Sequence, residues 1–346
     1  MAPAPRAALA LFSAALSLAR GAPPTFENPV VRADAPDPGV VFDADAGLFF
    51  SSTTTGNDPA GCFYLRSSPD LAAWTDLGYA FAAGRLPAWI DPANPSCWAP
   101  EIHRCGGAWR MYFVGRQRGG LLSIGVASSA AGPAGPWVDS GAPLVQDGGA
   151  APQGQIDPTL ARDAAGAPVL VFKTDGNADG RPTPIRAAAL DAGNCSALAP
   201  GADWATTELI TNTLAWEGPL VEAPWVVERN GTFFLFYSGN GYGDASYAVG
   251  VARAPALKGP YEKHGAPILR TAPGAAPTFP GPGHCSVVEA RDGATAIVYH
   301  AHGAAGGPAR HTMLDALAWV PDGAGGEWPA MESGQPYPGV GVQRVP

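Results

Sequence analysis

Three carboxylic acids stand at comparable points of a recurring pattern, and through them this sequence could do chemistry. Asp37 and Asp157 each precede a proline at the start of an apolar run, Glu222 opens EAPWVV, and His284 holds the same frame ahead of Cys285 and a Val-Val pair. A single Asp before Pro reads as a turn residue, because Asp favours turns and the residue before Pro is pushed toward extended geometry. Three acids and a histidine in phase with a repeat carry more information. If the repeat brings them to one axis, like charges are forced together, which costs energy and shifts protonation unless function uses it.

The elements that would position these residues follow from the stretch 222–240, EAPWVVERNGTFFLFYSGN, which reads as a β-hairpin. Val226 and Val227 run into Asn230-Gly231, and Phe233 to Tyr237 run out of it. Asn-Gly between apolar β-formers is a strong hairpin signal, because both turn positions need positive φ. The pattern recurs five times, with Asp37-Pro38, Pro100-Glu101, Asp157-Pro158, Glu222 and His284-Cys285 at the openings. The prolines at 38, 100, 158 and 224 are 62, 58 and 66 residues apart, and Cys285 follows 61 later. Such a period, with a second strand pair in each copy (FYLRSS then WTDLG, LSIGVASS then GPWVDSG), predicts radial four-stranded sheets around a channel. The expected fold is all-β, a single-domain five-bladed β-propeller over residues 22–346. First strands line the channel, so Asp37, Asp157, Glu222 and His284 should converge on the axis.

Composition agrees. The 45 Gly and 37 Pro fall between apolar runs, which suits many turns and few helices rather than disorder. A net charge of −9 argues against nucleic acid or an anionic membrane as partner. Residues 1–21, with Arg6, an apolar core from Ala7 to Ala19 and the small pair Ala19 and Gly21, match a secretory signal peptide. The apolar run of about 13 residues is short of the ~20 a membrane span needs. The expected product is therefore a secreted, extracellular protein with no membrane attachment after cleavage. Sequons at Asn194 and Asn230 fit surface segments of such a protein. Of the five Cys, Cys97 and Cys105 lie at opposite ends of one expected strand, about 26 Å apart at ~3.3 Å per residue, and cannot bridge one another. Cys62, Cys195 and one other remain available to pair. The segments 91–96 and 174–184 read as loops rimming the channel, and the tail 323–346 as a strand closing the ring against the first unit.

Glycoside hydrolysis needs a carboxylate to activate water and a protonated carboxyl to serve the leaving oxygen, on opposite sides of the sugar. Blades one and four are not adjacent, so Asp37 and Glu222 could flank a sugar and a water, while Asp157 in blade three would raise Glu222 and keep it protonated.

These residues resemble glycoside hydrolase family 43, five-bladed propeller enzymes active on arabinans and xylan side chains. The resemblance rests on NPVVRADAPDPGVV, SCWAPEIH, QIDPTLARDAAGAPVLVF, VEAPWVVERNGTFFLFYSG, and GPGHCSVVE with IVYHAH, over about residues 27 to 315. By motif it implies Asp37 as general base, Asp157 as the acid that tunes and orients, Glu222 as general acid, and an inverting mechanism. Glu217, in WEGP, competes with Glu222, but Glu222 stands eight residues before the Asn230 turn as the repeat requires, whereas Glu217 precedes the strand. The resemblance also implies that His284 helps hold a structural calcium ion, largely through water, in the channel; no cofactor is needed for the chemistry. Trp98 and Trp225 are candidate sugar-stacking faces, and Glu101 a candidate substrate contact. His103, His300 and His302 have no assigned role.

The expected activity is cleavage of α-L-arabinofuranosyl links in an oligo- or polysaccharide by a monomer. A β-xylosidase of the same fold is the nearest alternative, and a non-catalytic carbohydrate-binding propeller the alternative of another class. Kelch or WD signatures are absent, and all three acids are present.

Overall fold

A computed structural model describes residues 25–146, 154–205, 207–274, 279–303, 307–331, 334–336 and 343–344. The expected signal peptide lies outside them. Five four-stranded antiparallel sheets, each a simple meander, form the blades of a five-bladed β-propeller over 39–82, 98–139, 155–210, 221–263 and 283–330. Among the described residues no helix is long and apolar enough to cross a membrane.

Each second strand carries a mainly apolar, buried run because it has a blade on either side. In Thr232–Gly239, Phe234 and Phe236 enter one inter-blade core with Trp225, Val287 and Ile297. Phe233, Leu235 and Tyr237 enter the other with Val171, Ile185 and Leu209. The twofold alternation of a strand thus divides one aromatic run between two interfaces.

The innermost strands Trp98–Cys105, Gln155–Arg162, Val221–Arg229 and Gly283–Glu289 share one irregularity. Their pairing register shifts between Trp98 and Glu101, Ile156 and Thr159, Glu222 and Trp225, and Gly283 and Ser286. At each shift stands a residue with φ between 42° and 54°: Ala99, Asp157, Ala223 and His284. Asp37, at φ 55°, takes the same conformation just ahead of strand Gly39–Asp43. Proline follows in four of the five cases, and a residue without an N–H does no harm where the ladder is broken. Left-handed backbone at a non-glycine residue costs about 1–2 kcal/mol. Neighbouring blades hold four of these peptides through their N–H groups. Asp37 N donates to His300 Nδ1 at 3.2 Å, Ala99 N to Thr54 Oγ1 at 2.6 Å, Ala223 N to Asp157 Oδ2 at 2.9 Å and His284 N to Ser238 Oγ at 2.9 Å.

This corrects one detail of the repeat. The residue of blade four that matches Asp37 and Asp157 is Ala223, and Glu222 precedes it by one.

Blades approach so closely at the axis that a Cβ on Gly39 would lie 2.4 Å from the Pro100 carbonyl oxygen. The expected tail strand is in part Gln343–Arg344, paired just ahead of blade one, but the ring is closed mainly by other contacts. Glu327–Ala330 is the outer strand of blade five, not a strand of the first unit. Closure falls instead to the segment before blade one, where Asn28 exchanges hydrogen bonds of 2.8 and 2.9 Å with the Leu314 backbone and Val31 pairs with Thr312. Gln343–Arg344 pairs with Thr25–Phe26.

Cys97 and Cys105 do not bridge one another; Cys62–Cys97 ties blade one to the start of blade two, and Cys105–Cys195 ties blade two to blade three. Cys285 is free and buried. Asn194 and Asn230 are both exposed.

Candidate active site

At one end of the channel a cavity of about 590 Å³ is lined by Asp37, Asp157, Glu222 and His284, so the four axial residues reach one space. Trp98 lines it too, packed on Val114, Leu122 and Ile156. Asp175 and Asn177, from the expected rim segment 174–184, also border it, while none of the residues 91–96 does.

Of the acids that line the cavity, Asp37 has the most polar contacts. Thr54 Oγ1 donates to Oδ2 at 2.7 Å, and Arg310 Nη1, His300 Nδ1 and His284 Nδ1 lie 3.1, 3.1 and 3.4 Å from Oδ1. Burial alone would raise this carboxyl. Arg310 first, then His284, outweigh it and hold Asp37 well below the usual carboxylate range. The His300 ring is neutral: burial, then the Arg310 charge, lowers it to about 3. Arg310 is itself braced by the ring of Tyr242, 4.4 Å from its guanidinium carbon.

Asp157 has the opposite environment. Burial pushes it up to about 7, the Glu222 charge adds to the rise, and His284 and Lys173 oppose it. Glu222 accepts from Lys173 Nζ at 3.0 Å and from Tyr247 Oη at 2.8 Å. Asp157 is thus raised chiefly by burial, while the Glu222 beside it has a buried cation as partner. A carboxyl held low and another raised to about 7 share one cavity, which is what acid–base hydrolysis requires.

Two residues expected at substrate are placed elsewhere. Trp225 is buried, donates its indole N–H to Val287 O at 3.0 Å and stacks near His103 at 5.7 Å, deeper along the channel and outside the cavity. Glu101 is buried against His103, 2.9 Å away, also outside it. Both follow the bulge by two positions, which carries them down the axis rather than into the mouth. Neither is assigned to substrate.

Glu217 is set apart as well. It ends the short 3₁₀ turn Ala215–Glu217 and is fully buried, outside the cavity. The N–H groups of Thr213 and Leu214 donate to Oε2 at 2.6 and 2.8 Å, and Tyr237 Oη and Lys263 Nζ to Oε1 at 2.7 and 2.5 Å. Burial opposes its charge, but these donors together hold it below its ordinary range. Such an anchor is structural. Glu217→Ala is expected to cost roughly 3–5 kcal/mol of stability by leaving Lys263 and the two amides uncompensated, read as a lowered denaturation midpoint, with the dependence of rate on leaving group unchanged.

Among the described residues no three His, Cys, Asp or Glu side chains converge as a metal-binding group, and His284 Nδ1 faces Asp37. The residues present do not make a directly ligated cation site, and no step below passes through one. Lys173, Tyr247, His300, Arg310 and Tyr242 were not singled out from sequence. None stands at the repeat phase, although His300 falls in IVYHAH and Lys173 directly precedes the rim segment.

A five-bladed propeller with a base-like and an acid-like carboxyl in one axial cavity has the architecture of a glycan-cleaving enzyme. Residues 26–325 match Glycosyl hydrolases family 43, and the chain belongs to that family. It is similar to a probable arabinan endo-1,5-α-L-arabinosidase C of Aspergillus niger, 34% identical over 36% of this chain and 37% of that protein. It is similar also to the extracellular exo-α-(1→5)-L-arabinofuranosidase of Streptomyces avermitilis, 26% identical over 86% of this chain and 62% of that one. Both matches span less than two thirds of the relative. A solved structure of a thermostable family-43 glycoside hydrolase superposes with a TM-score of 0.76 at 26% identity, covering 93% of this chain and 98% of that one.

Proposed function

We propose that the protein is a secreted glycosidase that hydrolyses α-L-arabinofuranosyl links in arabinan or arabinoxylan with inversion. The observation that carries the acid–base reading is the split between Asp37, held ionised, and Asp157, held up to about 7, in one cavity. A non-catalytic sugar-binding propeller has no use for that split. The arabinosyl specificity is supported by the names of the two relatives, and secretion by the N-terminal apolar run together with two disulfides, which persist in oxidising compartments.

In this reading Trp98 offers its face to a sugar ring. Water attacks the anomeric carbon as Asp37 takes its proton; the carbon–oxygen bond to the leaving sugar breaks as that oxygen receives a proton from the Asp157–Glu222 pair, with Glu222 as donor. The signs on pH follow. Asp37 works above its lowered pKa, so activity is lost only in acid; the pair must hold a proton, so kcat/KM should decline as pH rises past about 7.

The test is a reducing-sugar assay on debranched arabinan, arabinoxylan and aryl arabinosides and xylosides, with the first product followed by NMR. Release of arabinose units with inverted configuration is expected. Release of xylose alone would move the specificity to β-xylosides, and retained configuration or no release from any substrate would overturn the reading.

A further inference from the structure

Lys173 lies near the end of strand Pro168–Thr174 in blade three, and its side chain is fully buried. An ammonium group without water is costly unless its charge is matched. Here Nζ lies between two carboxylates, 3.0 Å from Glu222 Oε2 and 3.2 Å from Asp175 Oδ1, in the wall of the cavity. Asp157, across the same cavity, accepts from the Ala223 backbone N–H. Tyr247 donates to the second oxygen of Glu222, and Asp37 and His284 face Asp157 from blades one and five.

We infer that Lys173, in contact with Glu222, sets the pH above which the Asp157–Glu222 pair loses its acid. The inference rests on the acid–base reading proposed above. Coulomb attraction falls off with distance, so a cation in contact with Glu222 favours the negative charge there and lowers the pH at which the pair gives up its proton. Asp175 grips the same ammonium from its other side and weakens its effect on Glu222. Lys173 is thus a positioning residue that acts through Glu222, and Asp175 its counterweight.

Two variants move the pair in opposite directions. Lys173→Met removes a cation, so the falling high-pH limb of kcat/KM on an arabino-oligosaccharide should rise by about one pH unit, a ~tenfold gain in relative rate above the limb. Asp175→Asn removes an anion, so the limb should fall. Lys173→Arg should return it toward wild type. A purely structural role would lower the rate without moving the limb.

The same protons are followed without substrate by NMR titration of ¹³C-labelled carboxyl groups. This separates a failure of the inference from a failure of the catalytic reading. Opposite shifts of the pair's upper titration step in the two variants are expected. An unmoved step in Lys173→Met, or in Asp175→Asn should the first variant not fold, would overturn the assignment.

Discussion

Asp37→Ala is expected to abolish turnover, a loss of at least about 10²–10⁴-fold in kcat on every glycoside tested, good leaving groups included. Attack by water is needed whatever the leaving group, and Asp37 is the acid of the cavity that Arg310 and His284 hold charged. The substitution also leaves Arg310, largely buried, without its carboxylate, so some stability will be lost with activity. Asp37→Asn separates the two effects, because it keeps the shape and the hydrogen bond from Thr54 while removing the charge. A folded Asp37→Asn protein, by melting curve, within about tenfold of wild-type rate would mean that Asp37 is not the base.

Glu222→Ala should give a contrast instead of a uniform loss. A general acid matters in proportion to how poor the leaving group is, so cleavage of arabino-oligosaccharides should fall by about 10²–10⁴-fold, while aryl glycosides with acidic phenols keep most of their rate. Measuring kcat/KM across phenols of graded acidity gives the result as a slope: steep in Glu222→Ala, shallow in wild type. The raised Asp157 makes a companion measurement necessary. If Asp157→Asn shows the steep slope and Glu222→Ala does not, the proton donor is Asp157 and Glu222 is the partner that keeps it protonated. A steep slope in Glu217→Ala would overturn both assignments, and the saturated contacts of Glu217 argue against it.

What the sequence by itself determined is what local chemistry and periodicity can encode. The aromatic run Phe233 to Tyr237 after Asn230-Gly231 could only be a strand with both faces buried, and five such openings about 60 residues apart define five blades. Residues at one phase of a radial repeat must meet at the axis, so Asp37, Asp157 and His284 were legible as neighbours although more than a hundred positions separate each from the next. Glu222 was found by the same reasoning with its frame misread by one, and the Ala-Pro that follows it was the available signal.

Tertiary structure alone decided the electrostatics. Lys173, Tyr247, His300 and Arg310 reach the acids from other strands, and no spacing within one copy of the repeat announces which side chain a neighbouring blade will present. For that reason the sequence could not show that Lys173 reaches Glu222 or that burial raises Asp157. The same limit applies to Trp225 and Glu101. Depth along the channel depends on where each bulge sits, and two residues past the bulge is already below the cavity. The disulfides follow suit: strand length excluded a Cys97–Cys105 bridge, yet only the packing of blade against blade brought Cys62 to Cys97 and Cys195 to Cys105.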